Sequence, residues 1–341
     1  GVDKYNAACR SIVQRYSQEW KKTVRRVGRW VDMENAYFTM SVEFMQSVWW
    51  VFHEMYKKGL IYEGYKVVPY SVGVSTPLSN FEANLNYKEV QDPAITVSFP
   101  ILNRDNEHFL AWTTTPWTLP SNLGLAVGRD IDYVRVREKG SNRIVILAAA
   151  LAKNFWKKLD EETEILETLK GEKLLGLKYE PLFSYFADKA AEGAFKVIHS
   201  DHVTTESGTG IVHMAPGCGD IDHKIGMSVG MPVIAPLKDD GTYDEGFGEF
   251  TGLEAISPKT AELVFEKLKA KGMLVSVEVY PHIYPHCWRT GDELVFRLVD
   301  EWFINMDWRD EIKDVTRQIR WLPDSIDGQE REIEWLSNMG D

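Results

Sequence analysis

Apolar residues recur every three or four positions through residues 1–60. Ala8, Ile12, Val13, Tyr16, Trp20, Val24 and Val27 fall on one helical face, and Gly28 is placed to end that helix. Phe44, Met45, Val48, Trp49, Phe52, Met55 and Tyr56 repeat the pattern, with Ser41 as the expected N-cap and Gly59 as the expected stop. Both aromatic stripes are expected to be core packing. From about residue 64 the texture shortens. Strands are predicted at 64–69, 94–99, 108–113, 132–136 and 143–147, each rich in β-branched or aromatic residues and punctuated by turn formers. A helix is expected over 148–159, then strands at 195–200 and 209–215. Ser257-Pro258 opens a helix ending near Gly272, with cap and N1 proline in preferred places. A last strand follows at 278–284, and 293–316 reads as helical or mixed. This order is not a regular βαβ alternation, which argues against a doubly wound sheet for the middle of the chain. The pattern predicts an α+β fold: a β-barrel-like domain with inserted helices, flanked by helical segments from both ends.

Composition narrows the picture little. The chain has 341 residues, 44 % hydrophobic and 26 % charged, ordinary globular values that exclude a disordered chain. No run of about 18 apolar residues is present, and the opening Gly1-Val2-Asp3-Lys4-Tyr5 lacks the apolar core of a signal peptide. Three cysteines (Cys9, Cys218 and Cys287) cannot build a disulfide framework, which points to a reducing, cytoplasmic setting. The net charge of −12 argues against a large nucleic-acid-binding face. Charge is uneven, however: residues 1–60 carry +4 and the remainder −16. A basic helical end could guide one end of a polyanion, or could simply be a solvated face.

Candidate chemistry lies in four segments. Trp112-Thr113-Thr114-Thr115-Pro116-Trp117-Thr118-Leu119-Pro120-Ser121-Asn122 sets clustered hydroxyls at a strand end beside two prolines that stop the ladder. The same residues also fit a strand end with Trp117 in the core. In Gly208-Thr209-Gly210-Ile211-Val212-His213, glycines permit close backbone approach to a ligand. That strand leads into Pro216-Gly217-Cys218-Gly219-Asp220-Ile221-Asp222, where imidazole and carboxylate could bind an ammonium and orient water. A satisfied core histidine with solvated loop acids is the alternative. Pro281-His282-Ile283-Tyr284-Pro285-His286-Cys287-Trp288-Arg289 hints at metal, but no CxxC pair occurs, so no metal is expected. Ser75-Thr76-Pro77-Leu78-Ser79-Asn80-Phe81-Glu82 alone reads as a turn. No Walker A loop, GxSxG elbow or GxGxxG after a strand is present.

Together these segments resemble the editing (CP1) domain of the isoleucyl-tRNA synthetases, class I enzymes. The 112–122 run is similar to the family's threonine-rich editing motif. Pro116-Trp117 stands where leucyl and valyl relatives carry Arg-Pro. Gly208 to Asp222 is similar to the second editing motif, whose Asp lies nine residues after the His, which selects Asp222 from His213. The 76–82 and 284–289 segments resemble those that enter and leave the inserted domain. The family's His-Ile-Gly-His and Lys-Met-Ser-Lys-Ser signatures do not occur. The resemblance therefore implies an editing domain over 64–290, a helical connective segment over 1–63 and a return segment over 291–341. ATP and magnesium would be needed only by the full-length parent, and no cofactor in this segment. Zinc-binding cysteine pairs of bacterial members are missing: residues 69–74 hold no cysteine, and Thr290 stands where a partner of Cys287 would be. That favours a eukaryote-like cytosolic type.

The implied task follows from one methylene. Excluding valine from an isoleucine pocket yields only about 1–3 kcal/mol, a limit for which this family is itself the standard example. A second site would hydrolyse mischarged valyl-tRNA(Ile) and reject isoleucyl-tRNA by size. The resemblance implies that the partners are the 3′ end of aminoacylated tRNA and the rest of the synthetase, with no membrane. Asp222 would pair with the substrate ammonium. Trp117, Tyr284 and His213 would shape the pocket. Thr113, Thr114, Thr115 and Asn122 would hold the terminal ribose and a water. Backbone N–H groups around Gly208, Thr209 and Gly210 would stabilise the oxyanion. His213 is one candidate base; transfer through a ribose hydroxyl is another. The rivals are a non-catalytic tRNA-binding module and a metal-dependent hydrolase using His213, His282, His286 and Cys287.

Overall fold

The computed structural model describes residues 1–156 and 158–340. They divide into two compact units: Gly1–Tyr62 with the chain from Trp302 onward, and Glu63–Glu301.

In the first unit, the predicted helices form at Val2–Arg26 and Val42–Lys57. Ser41 caps the second by accepting from Phe44 N at 3.2 Å, and Gly28 and Gly59 both take positive φ just past the helix ends. The expected core packing is not found: neither helix buries any residue, and Trp20 and Trp49 are exposed. Later helices at Arg309–Gln318 and Gly328–Asn338 each bury one residue, Thr316 and Leu336.

The strands in chain order are β1 (Ile61–Ser71), β2 (Thr76–Pro77), β3 (Tyr87–Pro100), β4 (Glu107–Thr113), β5 (Gly124–Val127), β6 (Asp132–Glu138), β7 (Ile144–Ala148), β8 (Thr163–Lys170), β9 (Lys196–His199), β10 (Ile211–Met214), β11 (Leu274–Pro285) and β12 (Val295–Ile304). The fold is α+β, as the sequence pattern predicts. A six-stranded sheet runs β11-β3-β4-β7-β6-β8, and two three-stranded sheets run β10-β5-β9 and β12-β1-β2. The barrel-like expectation is too strong, because β11 and β8 are open edges of the large sheet. The β4–β7 and β5–β9 pairs are parallel, whereas β1–β2, β10–β5, β11–β3, β3–β4, β6–β7 and β6–β8 are antiparallel. The 293–316 segment is mixed, with β12 followed by the Arg309–Gln318 helix. The helix expected over 148–159 is broken into short turns at Ala149–Leu151, Ala152–Phe155 and Leu159–Glu162. Lys157 within it, and Asp341 at the end of the return segment, lie outside the described residues.

Strand alternation explains why both faces of the large sheet are covered. Phe109, Ala111, Ile146 and Ala148 face the main core with β5 and β10 residues. Leu110, Val145 and Leu147 face a second cluster closed by Ala152 and Trp156. The Pro258–Ala270 helix buries Thr260, Val264 and Leu268, and Ser257 caps it through Thr260 N at 3.2 Å. Ser257→Ala is expected to cost about 1 kcal/mol, read as a lower urea midpoint with an unchanged m-value. An unchanged midpoint would show the cap to be dispensable.

Candidate active site

β4 ends at Thr113, and Pro116 opens a 3-10 helix, Pro116–Ser121, with proline at its first position. Three residues per turn place Thr115 and Thr118 on one side. The Thr118 hydroxyl donates to the Thr115 carbonyl at 2.9 Å and lies 3.4 Å from Thr115 Oγ1, which is itself 3.2 Å from Thr113 Oγ1. The chain then turns into β5, which pairs antiparallel with β10, so that His213 sits opposite Leu125. The threonine run and the His213 strand are thereby brought together.

His213 is buried. Its Nε2 is 2.7 Å from Thr118 Oγ1 and its Nδ1 is 3.2 Å from Asn122 Nδ2. Asn122 also donates to Gly124 O at 2.9 Å and accepts from the Tyr179 hydroxyl at 2.8 Å, which fixes its amide nitrogen toward the ring. Nδ1 is therefore the acceptor, and Nε2 carries the proton toward Thr118. Burial lowers the His213 pKa to about 4, so the ring is neutral at pH 7.

β10 runs into a loop and then the Asp220–Ser228 helix, with Asp222 in its first turn. One Asp222 oxygen accepts from Ala215 N at 2.9 Å. Among the described residues no basic side chain pairs with it. Burial raises its pKa, and the Ala215 hydrogen bond opposes the rise. Gly219 gives it room: a Cβ there would stand 2.9 Å from Asp222 Oδ2. Cys218, beside Ser121 Oγ at 3.6 Å, has its thiol pushed up to about 12, chiefly by burial.

Thr113, Thr115, Thr118, His213, Cys218 and Asp222 line one cavity of about 220 Å³, together with Trp112, Val212, Ala215 and Gly219. The other expected site residues are distributed around it. Trp117 and Tyr284 line a larger cavity of about 630 Å³, which meets the first at Thr115 and also includes Thr114. Trp117 is held by its carbonyl, which accepts from the Tyr243 hydroxyl, and Tyr284 by donating to Leu294 O at 2.9 Å. Gly208, Thr209 and Gly210 line a third cavity of about 240 Å³, sharing Trp112, Thr113 and Val212 with the first. Both glycines have positive φ, and a Cβ at Gly210 would stand 2.4 Å from Ala148 Cβ. Asn122, expected at the ribose, lies behind His213. Its amide is spent on the backbone, Tyr179 and His213, and it lines none of these three cavities.

The three histidines of the metal rival have other partners. His282 Nε2 is 2.8 Å from Asp92, His286 Nδ1 is 3.0 Å from Tyr284 O, and His213 is bonded as above. Among the described residues, no three His, Cys, Asp or Glu side chains could hold one metal ion. Of the residues lining the first cavity, sequence reasoning gave no role to Trp112, Thr118, Val212, Ala215, Cys218 and Gly219. Thr118 had a signal: it lies one 3-10 turn beyond Thr115.

The full sequence, residues 1–341, matches the family described as tRNA synthetases class I (I, L, M and V). The chain belongs to this family. Class I relatives include a Bdellovibrio bacteriovorus protein named isoleucine–tRNA ligase, 54 % identical over 343 residues, covering all of this chain and 32 % of that one. A Dictyostelium discoideum protein named probable cytoplasmic isoleucine–tRNA ligase is 43 % identical, covering 100 % and 33 %. The Saccharomyces cerevisiae cytoplasmic isoleucine–tRNA ligase is 42 % identical, covering 100 % and 32 %. The eukaryotic relatives are of the cytoplasmic type, while the bacterial one is more similar still. The chain spans about a third of the length of these relatives. A solved P. falciparum cytosolic leucyl-tRNA synthetase editing domain is similar at 8 % identity and a TM-score of 0.40, covering 55 % of this chain and 99 % of that one.

Proposed function

We propose that this class I synthetase segment is the editing part of an isoleucine–tRNA ligase, working in the cytoplasm, and that it hydrolyses valyl-tRNA(Ile) while sparing isoleucyl-tRNA. The observation that carries this reading is Asp222: a largely buried carboxylate, without a cationic partner among the described residues, facing a small cavity rimmed by threonine hydroxyls. A protein tolerates an unpaired buried charge poorly unless a ligand completes it. The ammonium of an aminoacyl ester is such a ligand.

Thr115 is the wall shared by the Asp222 cavity and the Trp117–Tyr284 cavity. An aminoacyl group laid across it would present its ammonium to Asp222 and its side chain between the two rings. Thr113 and Thr115 hydroxyls would position the attacking water, and the Gly208–Gly210 backbone, across the Thr113 wall, would face the developing oxyanion. Water adds to the ester carbonyl, the bond to the ribose oxygen breaks, and the free amino acid and the tRNA hydroxyl leave. His213 acts as a positioning residue: a neutral ring that holds Thr118 in place. The proton passes through a ribose hydroxyl. The donors here require no metal for this step; ATP and magnesium would belong to aminoacylation in the whole ligase.

The test is deacylation by the purified chain. Valyl-tRNA(Ile) should be hydrolysed about 10- to 200-fold faster than isoleucyl-tRNA(Ile), the discrimination that one methylene gives in a tight pocket. Binding of both without hydrolysis of either would favour a non-catalytic tRNA-binding module. Loss of hydrolysis in EDTA, restored by a divalent ion, would favour the metal-dependent reading.

A further inference from the structure

β5 and β10 pair as far as Val127 and Ile211, and Gly128 and Gly210 stand next in that register. Val127 turns its carbonyl the other way, to Ser200 N at 3.0 Å, so the N–H of Gly128 faces the β10 side. A continuing ladder would join Gly128 N–H to Gly210 C=O directly, at about 2.9 Å. Instead the Tyr133 hydroxyl stands between them. It accepts from Gly128 N at 3.1 Å and donates to Gly210 O at 2.7 Å. Tyr133 belongs to β6 and is fully buried. Burial pushes its phenol up to about 12, so the hydroxyl keeps the proton that it donates. The ring has no slack, since a Cβ at Gly171 would stand 2.8 Å from its Cε2.

This wedge ends the ladder one pair early. The preceding carbonyl, of Thr209, accepts from Ala148 N at 2.8 Å at the end of β7. Two strands of the large sheet thus hold successive carbonyls of the segment whose residues line the cavity of about 240 Å³. We propose that Tyr133 is a positioning residue for ester hydrolysis, whose hydroxyl keeps the Gly208–Gly210 backbone out of the β5 ladder and turned to the reacting carbonyl. The proposal rests on the hydrolysis reading, in which that backbone meets the developing oxyanion. Tyr133 itself lines none of the three cavities, so it acts only through the loop. Without the hydroxyl, two buried backbone groups lose their partner. Closing on each other repairs that loss and draws Gly210 toward β5.

The test measures kcat and KM for valyl-tRNA(Ile) with Tyr133→Phe. A contact made only as the oxyanion forms is lost from kcat and kcat/KM alike. kcat should fall about 10- to 100-fold, the scale of a reacting arrangement displaced by about an ångström, with KM within about twofold. Replacing Tyr133 by 4-aminophenylalanine, which restores a donor to Gly210 O, should recover most of the loss. Gly210→Ala, whose Cβ would meet Ala148 Cβ at 2.4 Å and displace the same segment, should reproduce the split and carries the test if Tyr133→Phe does not fold. Unchanged kcat in either folded variant would overturn the proposal and leave the hydrolysis reading standing. A loss that appears mainly in KM, or that aminophenylalanine does not recover, would make Tyr133 a packing residue and also overturn it. A wild-type chain that hydrolyses no ester would overturn both.

Discussion

Asp222→Asn should abolish hydrolysis while making the protein more stable. The carboxylate is largely buried and lacks a cationic partner among the described residues, and its pKa is raised by burial, so the ionised form is held at a cost in the unliganded protein. Asparagine keeps an oxygen for Ala215 N–H, at 2.9 Å in the present structure, and removes the charge. Melting should rise by roughly 2–4 °C, corresponding to about 1 kcal/mol for a unit of this size. The same substitution deletes the partner of the substrate ammonium. Losing a desolvated charge pair costs about 2–5 kcal/mol, so hydrolysis of valyl-tRNA(Ile) should fall by about two to three orders of magnitude. Melting curves and single-turnover deacylation on one preparation read both effects. A folded variant with unchanged hydrolysis would remove Asp222 from the mechanism. A variant that melts lower and loses activity in proportion would make the carboxylate a brace for the loop after β10.

The elements that the sequence made legible are those with strong local punctuation. Ser41, Gly59, Ser257 and Pro258 bound their helices where the caps predict. β5 was missed because Gly124–Val127 is four buried residues following a turn, too short to show alternation. β8 was missed because Thr163–Lys170 is rich in Glu and Lys, which strands disfavour. Its support is across the sheet instead: Arg137 meets Glu164 at 2.7 Å, Arg135 meets Glu167 at 3.2 Å, and Lys170 meets Asp132 at 2.8 Å. The two motifs named the right neighbourhood, since β10 brings His213 and Asp222 to the threonine run. They could not tell that the expected residues divide among adjoining cavities. Thr113 lines the Asp222 and Gly208–Gly210 cavities, Thr114 the Gly208–Gly210 and Trp117–Tyr284 cavities, and Thr115 the Asp222 and Trp117–Tyr284 cavities. Asn122 shows the limit most sharply. Its type suits a ligand, but Tyr179, fifty-seven positions along the chain, claims its oxygen.

The second large effect is on pH. An imidazole titrating at about 4 when folded and near 6.5 when unfolded binds fewer protons in the folded state between those values. Stability therefore falls as pH drops through that window, by up to about 3 kcal/mol once both states are protonated. Asp222 works in the opposite sense, because a carboxyl whose pKa is raised by folding favours the folded state on acidification. The His213 share is isolated by comparing urea unfolding at pH 7 and pH 4.5 for wild type and His213→Gln. The substitution should cost stability at pH 7 and make the acid loss smaller. Hydrolysis gives the independent check. A ring that stays neutral from pH 5 to 8, with its Nδ1 occupied by Asn122, leaves no inflection near the ordinary imidazole value in the rate profile. An inflection there, lost in His213→Gln, would make His213 the proton acceptor and turn the threonine hydroxyls from water-holders into its relay.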